Sequence, residues 1–236
     1  MSSTPTKQKP RKSTKSSRSN SSSSNDSNGP EKSSSLQEKK ALKLVFIGDG
    51  AVGKTSLISS FAKNEFPDTY TPTVFDNVST DVMHEDKKTK EKRVIRLDIH
   101  DTAGQEDYAR VRKLTYPETD CFCLVFDVTE EASMDNVHSW IVEIENYVPE
   151  DERRIMLIGN KIDKPNRKIS LEAARAKAHS NKCKGYVECS AKTRDGVEDV
   201  FQAAVNFILE DNYMLPYQQE YTQSHKKKDK RDCAVM

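Results

Sequence analysis

Apolar residues in this chain follow two rhythms. Three short runs are almost continuously apolar: LKLVFIG at 42–48, CFCLVFD at 121–127 and IMLIGN at 155–160. A strand covered on one face alternates apolar and polar side chains, whereas one covered on both faces does not. These runs therefore predict central strands of a sheet buried on both sides. Elsewhere the spacing changes to i, i+3, i+4, i+7. Val137, Trp140, Ile141, Ile144 and Val148 form one such stripe, and Val197, Val200, Phe201, Ala204 and Ile208 another, as expected of helices laid against a sheet. Trp140 lies on its stripe and reads as a core residue. A further helix is expected over 170–180, with Ser170 as N-cap and Glu172 in the first turn against the helix dipole. Segments 77–85 and 92–100 predict a β-hairpin joined by the charged DKKTKEK. Strands alternating with helices give an α/β architecture, a parallel sheet with helices on both faces.

Composition changes this picture at the ends. Residues 1–40 hold 14 serines and almost nothing apolar beyond Met1 and Leu36, too little burial to offset chain entropy. They are expected to form a disordered N-terminal extension. Nine basic and three acidic residues give the stretch a net charge of +6, which reads as a solvated tail, with added membrane affinity or phosphorylation as alternatives. Residues 41–212 are long enough for one well-cored domain, and 213–236 form an expected flexible polybasic tail. No apolar run approaches the ~18 residues of a membrane span, and the N-terminus lacks the apolar core of a signal peptide. The five cysteines include no C-x-x-C, and Cys121 and Cys123 should point to one face of a strand, so reduced thiols in a cytosolic protein are expected.

Candidate chemistry begins where the first apolar run ends. GDGAVGKTS (48–56) matches G-x-x-x-x-G-K-[ST] at Gly48, Gly53, Lys54 and Thr55. A strand before it and a helical KTSLISSFAK after it bring backbone N–H groups and a helix N-terminus to one point, the geometry a polyphosphate needs. The phosphate-binding stretch is Gly48, Asp49, Gly50, Ala51, Val52, Gly53, Lys54, Thr55 and Ser56. Lys54 would neutralise β- and γ-phosphates, and the Thr55 hydroxyl would ligate Mg²⁺. NKID supplies Asn160, Lys161 and Asp163 at the carboxyl end of a strand, where open α/β sheets bind nucleotides. Asp163 can accept from the N1–H and 2-amino groups of guanine; adenine offers neither donor, so a buried Asp163 would reject it. SAK (Ser190, Ala191, Lys192) follows the expected strand GYVEC. In DTAGQE, Asp101 can hold the Mg²⁺ water shell, the Gly104 N–H can reach the γ-phosphate, and Gln105 can orient an attacking water.

GDGAVGKT, YTPTVFDN, DTAGQEDYARVR, NKID and ECSAK together resemble the Ras superfamily of small GTPases. FPDTYTPTVFDN and TAGQEDYARVRKLTYPETD are most similar to the two switch segments of its Rho family. The resemblance covers about residues 41–212. It implies a P-loop NTPase fold with a mostly parallel six-stranded sheet, GTP/GDP and Mg²⁺ as ligands, and a monomeric switch. It further implies that Thr73 closes onto Mg²⁺ and the γ-phosphate, that Tyr70 shields the phosphates, and that Phe66 packs on guanine. Catalysis would rest on Gln105, Lys54, Thr73 and Gly104, slow alone and faster with an arginine supplied by a partner. A side chain at Gly50 would crowd Gln105. Arg110 and Arg112 read as a basic, partner-facing surface rather than a built-in arginine finger.

The implied partners are effectors through 66–77 and 104–114, exchange factors, GTPase-activating proteins and a dissociation inhibitor; no nucleic acid is expected. Actin, polarity or morphogenesis signalling is the pathway such a relative implies. Three departures from the Rho pattern stand out: only residues 164–189 separate NKID from SAK, leaving no room for the Rho insert; Asn160 stands where Thr is usual; and the hairpin is long and charged. His100, where aromatics are common, reads either as a strand-end residue or as a selector of exchange factors. The chain ends in C-a-a-X, with Cys233 as prenyl acceptor and Met236 favouring farnesyl. Lys226, Lys227, Lys228, Lys230 and Arg231 add attraction to an anionic leaflet, placing the protein on the cytosolic face of the plasma membrane with a cytosolic pool. Two other readings stand beside this one: a nucleotide-locked recruitment module with negligible turnover, and an ATP-using P-loop enzyme.

Overall fold

The computed structural model describes residues 41–67, 73–86, 89–210 and 215. The N-terminal extension, Tyr70, the polybasic tail and Cys233 lie outside the described residues. Strand β1 (Leu42–Ile47) leads into helix α1 (Lys54–Ala62), followed by the hairpin strands β2 (Phe75–Glu85) and β3 (Lys92–Thr102). A short helix α2 (Ala109–Lys113), strand β4 (Cys121–Asp127) and helices α3 (Glu131–Asp135) and α4 (Val137–Glu145) come next. Strand β5 (Ile155–Asn160), helix α5 (Leu171–Ser180), strand β6 (Gly185–Glu188) and helix α6 (Val197–Leu209) complete the order. The six strands form one sheet in the order β2-β3-β1-β4-β5-β6. All neighbours are parallel except β2 and β3.

Two cores cover the faces of this sheet. On one side Leu44, Phe46, Cys121, Cys123 and Val125 pack against Leu57 and Ile58 of α1 and Val200, Phe201 and Ala204 of α6. On the other, Val45, Ile47, Phe122, Leu124 and Phe126 pack against Trp140, Ile141 and Ile144 of α4 and Ala174 and Ala178 of α5. Successive side chains of β1 and β4 thus go to opposite cores, which is why both strands read as unbroken apolar runs. Cys121 and Cys123 share one core as expected, and the described cysteines are all free.

Boundaries moved where composition misled. The hairpin strands run two residues further toward the cleft end than 77–85 and 92–100, because the antiparallel ladder persists through Asp76↔Asp101 and Phe75↔Thr102; three of these four residues are polar and look like loop but are paired as strand. Helix α4 ends at Glu145, yet Val148 beyond it is still buried in the same core. Ser170 caps α5 as expected, its hydroxyl accepting from Ala173 N at 3.1 Å. Between β5 and β6 the chain forms the single helix α5.

Candidate functional site

The loop between β1 and α1 turns tightly at two glycines, Gly48 and Gly53, with φ of +133° and +96°. Gly53 needs its missing Cβ for a second reason, since a Cβ there would stand 2.5 Å from Asn160 Nδ2. Helix α1 starts at Lys54 with no side-chain cap and no acidic residue in its first turn. Its first N–H groups are therefore free of side-chain acceptors and electropositive, suited to an anion. Lys54 curls back over the loop, Nζ donating to the carbonyls of Gly48 and Asp49 at 2.8 Å each. Burial pushes its pKa down to about 8, against the opposing pull of Asp101 and Asp49.

Beside it, three segments meet through oxygens. The Thr55 hydroxyl donates to Asp101 Oδ2 at 2.6 Å and stands 2.6 Å from Thr73 Oγ1. Asp101 is the next-to-last residue of β3 and Thr73 precedes β2, so the cleft end of the hairpin and the segment leading into it both reach the phosphate loop here. Asp101 is 2% exposed, and its Oδ1 is buried without a hydrogen-bond partner. Burial raises its pKa, opposed by the Thr55 hydrogen bond and the charge of Lys54. Two hydroxyls beside a buried carboxylate with an unpaired oxygen fit a hard divalent cation that keeps most of its waters, as Mg²⁺ does.

The third corner of the site lies at the ends of β5 and β6. Asn160 is 1% exposed; its Nδ2 donates to the Val52 carbonyl at 3.0 Å, and its Oδ1 accepts from Lys161 N and Ala191 N at 2.8 and 3.2 Å. Lys161 Nζ bridges the Ala51 carbonyl and Asp127 Oδ2, each at 2.7 Å. Ser190 donates to Asp163 Oδ1 at 2.7 Å, fixing the carboxylate, while Asp163 itself is exposed at the rim rather than buried. A cleft of about 450 Å³ runs between these corners. Gly50, Ala51, Gly53, Lys54, Thr55, Ser56, Phe66, Thr73, Gly104, Gln105, Asn160, Lys161, Asp163, Ala191 and Lys192 all line it. It opens at the carboxyl ends of β1, β3, β5 and β6, where the rule for open α/β sheets puts a ligand.

Several expected residues sit elsewhere. Gly48 and Val52 are buried beneath the loop, Asp101 lies behind Thr55, and Ser190 lies under Asp163. Asp49 turns its carboxylate to α4 and its N-terminal joint, accepting from Trp140 Nε1 at 2.7 Å and Asn136 Nδ2 at 2.8 Å. Trp140 is thus a core residue with a polar task. Arg112 is a correction: it is not a partner-facing surface but 3% exposed, paired through Nε and Nη2 with both Glu143 oxygens at 3.0 Å. Its place on a short helix pressed against α4 withdraws it from solvent, whereas Arg110 is exposed. Burial alone would raise the Glu143 pKa, but hydrogen bonds from Arg112 and Tyr116 outweigh it and hold the carboxyl below its usual value. Asp127, Asn136 and Glu143 escaped the sequence reading. Only Asp127 left a signal, a carboxylate ending an otherwise apolar central strand.

A phosphate loop between a buried strand and an uncapped helix, with a carboxylate at the base end and an oxygen-lined cation corner, defines a P-loop guanine-nucleotide switch. Residues 43–210 match the model of the Ras family, and the chain belongs to that family. It is a small GTPase. Members bind GTP and GDP, typically with Mg²⁺, and work through effectors, exchange factors and activating proteins.

Proposed function

We propose that this protein is a Rho-type member of the family, a switch that hydrolyses GTP slowly and recruits effectors at an anionic membrane. The observation that carries the switch is the contact of Thr73 with Thr55, 2.6 Å between hydroxyls, beside Asp101. It makes the segment before β2 answer to whatever occupies the phosphate cradle, and Gly104 and Gln105 do the same at the end of β3. Loss of a γ-phosphate releases both. In this reading Lys54 and the backbone of 48–56 hold phosphates, and Phe66, Asn160, Lys161, Asp163 and the Ser190–Lys192 loop hold guanine. Thr55, Thr73 and, through water, Asp101 would hold Mg²⁺, which when bound neutralises charge on the β- and γ-phosphates. Gln105 orients the attacking water, and an arginine from an activating protein supplies the missing charge.

The Rho assignment is supported by the two switch segments, with effector contact through 66–77 and 104–114. Val74, Phe75, Val111 and Leu114 there are large apolar side chains left exposed, as an effector-binding surface requires. Attachment rests on Cys233 with the basic tail, since one prenyl chain alone binds weakly.

Single-turnover GTP hydrolysis by the full chain, alone and with Gln105→Leu, tests the catalytic reading: Gln105→Leu should bind GTP and stop turnover. Partner capture by Gln105→Leu against Thr55→Asn tests the Rho assignment, which fails if Rho-type effectors do not prefer the GTP-locked form. Cys233→Ser should leave the protein off anionic vesicles; persistent membrane binding would refute the lipid anchor.

A further inference from the structure

We propose that Trp140 and Arg112 are positioning residues for hydrolysis, joining the loop that cradles the phosphates to the segment that carries Gln105. The proposal rests on the role given to Gln105 above. Neither side chain lines the cleft; they stand behind it, in line. On the loop side, the Trp140 indole N–H donates to Asp49 Oδ1 at 2.7 Å, and the backbone carbonyl of that same Asp49 accepts from Lys54 Nζ at 2.8 Å. The indole face then carries Arg112, its guanidinium carbon 4.6 Å from the ring centroid. On the far side, Arg112 Nη1 donates to the carbonyls of Ala103 and Gln105, at 2.7 and 3.3 Å, the residues on either side of Gly104. Glu143 accepts from Nε and Nη2 along the side-on edge of the guanidinium and so fixes the plane of the fork.

The donors in this line are directional. An indole has one N–H and a guanidinium a rigid fork, and both are withdrawn from water, so they cannot trade partners for solvent as Asp49 or Gln105 moves. A core that needed only filling would be served by an aliphatic side chain at either position. Here every donor on Trp140 and Arg112 described above is spent on the phosphate loop, on Glu143 or on the backbone around Gly104. A displacement of Asp49 therefore carries the indole, the guanidinium and the two carbonyls with it, and sets where the Gln105 side chain starts.

The test is single-turnover GTP hydrolysis and GDP release by the full-length chain carrying Trp140→Phe, Asp49→Ala, both together, or Gln105→Leu. Trp140→Phe keeps the ring and deletes the N–H; hydrolysis should slow about 10-fold while GDP release stays within about twofold. The double variant should be no slower than Asp49→Ala alone, because the bond that Trp140→Phe deletes is already gone in Asp49→Ala, which also loses the Asn136 bond. Trp140 is the sole tryptophan of the chain. Its emission should differ between the GDP form and a form loaded with a non-hydrolysable GTP analogue, and Asp49→Ala should abolish the difference. Wild-type hydrolysis by Trp140→Phe while Gln105→Leu is inert, or additive losses in the double variant, overturns the relay alone. Normal hydrolysis by Gln105→Leu overturns the role of Gln105 and the relay with it. If Trp140→Phe does not fold, Asp49→Ala, whose carboxylate sits at the edge of the loop, carries the same rate and emission tests.

Discussion

Asn160 supports the phosphate loop from beneath: its side-chain amide donates to the Val52 carbonyl at 3.0 Å while its oxygen accepts from Lys161 and Ala191. One buried amide thereby pins the loop after β1, the turn after β5 and the loop after β6. The base corner and the phosphate corner are one construction.

Asn160→Ala leaves a carbonyl and two amide N–H groups without these partners. Each buried group left unmade costs about 1–3 kcal/mol, so urea unfolding should shift to lower denaturant and GDP should dissociate faster. Unchanged nucleotide release would show that the two corners hold their shape independently.

Lys54 should link nucleotide binding to protons. Its pKa falls on folding from 10.5 to about 8, chiefly through burial, so between those values the folded chain binds fewer protons than the unfolded one. Stability of the ligand-free protein should accordingly rise with pH across that window. Phosphates favour the charged amine, so calorimetry of GDP binding near pH ~8.5 in buffers of different ionisation heat should reveal proton uptake. Equal heats in both buffers would mean an amine already charged.

Gly50 and Gly104 should respond differently to side chains. A Cβ at Gly50 would lie 3.7 Å from Gln105 Nε2, ordinary contact, so the expectation that a side chain there crowds Gln105 does not hold for Gly50→Ala; the added methyls of Gly50→Val are expected to reach the amide. Gly50→Val should slow phosphate release by ~100-fold with little change in melting temperature. At Gly104 a Cβ runs into the backbone of Gly48, Asp49 and Gly50, so Gly104→Ala should weaken the preference for GTP over GDP in competition binding.

Arg112→Ala removes the charge partner of Glu143, leaving it the Tyr116 hydroxyl, and takes a donor from the Ala103 carbonyl. Breaking a buried pair costs about 3–5 kcal/mol, readable in urea unfolding of the GDP form, whereas Arg110→Ala should stay within ~0.5 kcal/mol. Comparable effects at the two arginines would contradict the burial of Arg112.

The sheet was legible because β1, β4 and β5 are buried on both faces, and a two-faced strand writes its burial into every residue. The cleft was legible because Gly48, Gly53, Lys54 and Thr55 announce a tight turn between a strand and a helix, and the cleft lies beside that turn. Arg112 was not legible. A charge on a short helix looks like surface, and only the packing of α2 against α4 puts it over Trp140, with Glu143, distant in sequence, to receive it. Trp140 was half legible, since its spacing disclosed the apolar ring but periodicity carries no information about where an N–H points.

The hairpin of β2 and β3 stays in register over eleven pairs, from Phe75↔Thr102 at the cleft to Glu85↔Lys92 at its far end. At about 3.4 Å per residue the connecting turn lies roughly 34 Å from the chemistry. A change of length or charge in that turn is therefore expected to leave turnover untouched. The same distance makes it a natural splice point, where an epitope or a reporter domain can be grafted into a working enzyme.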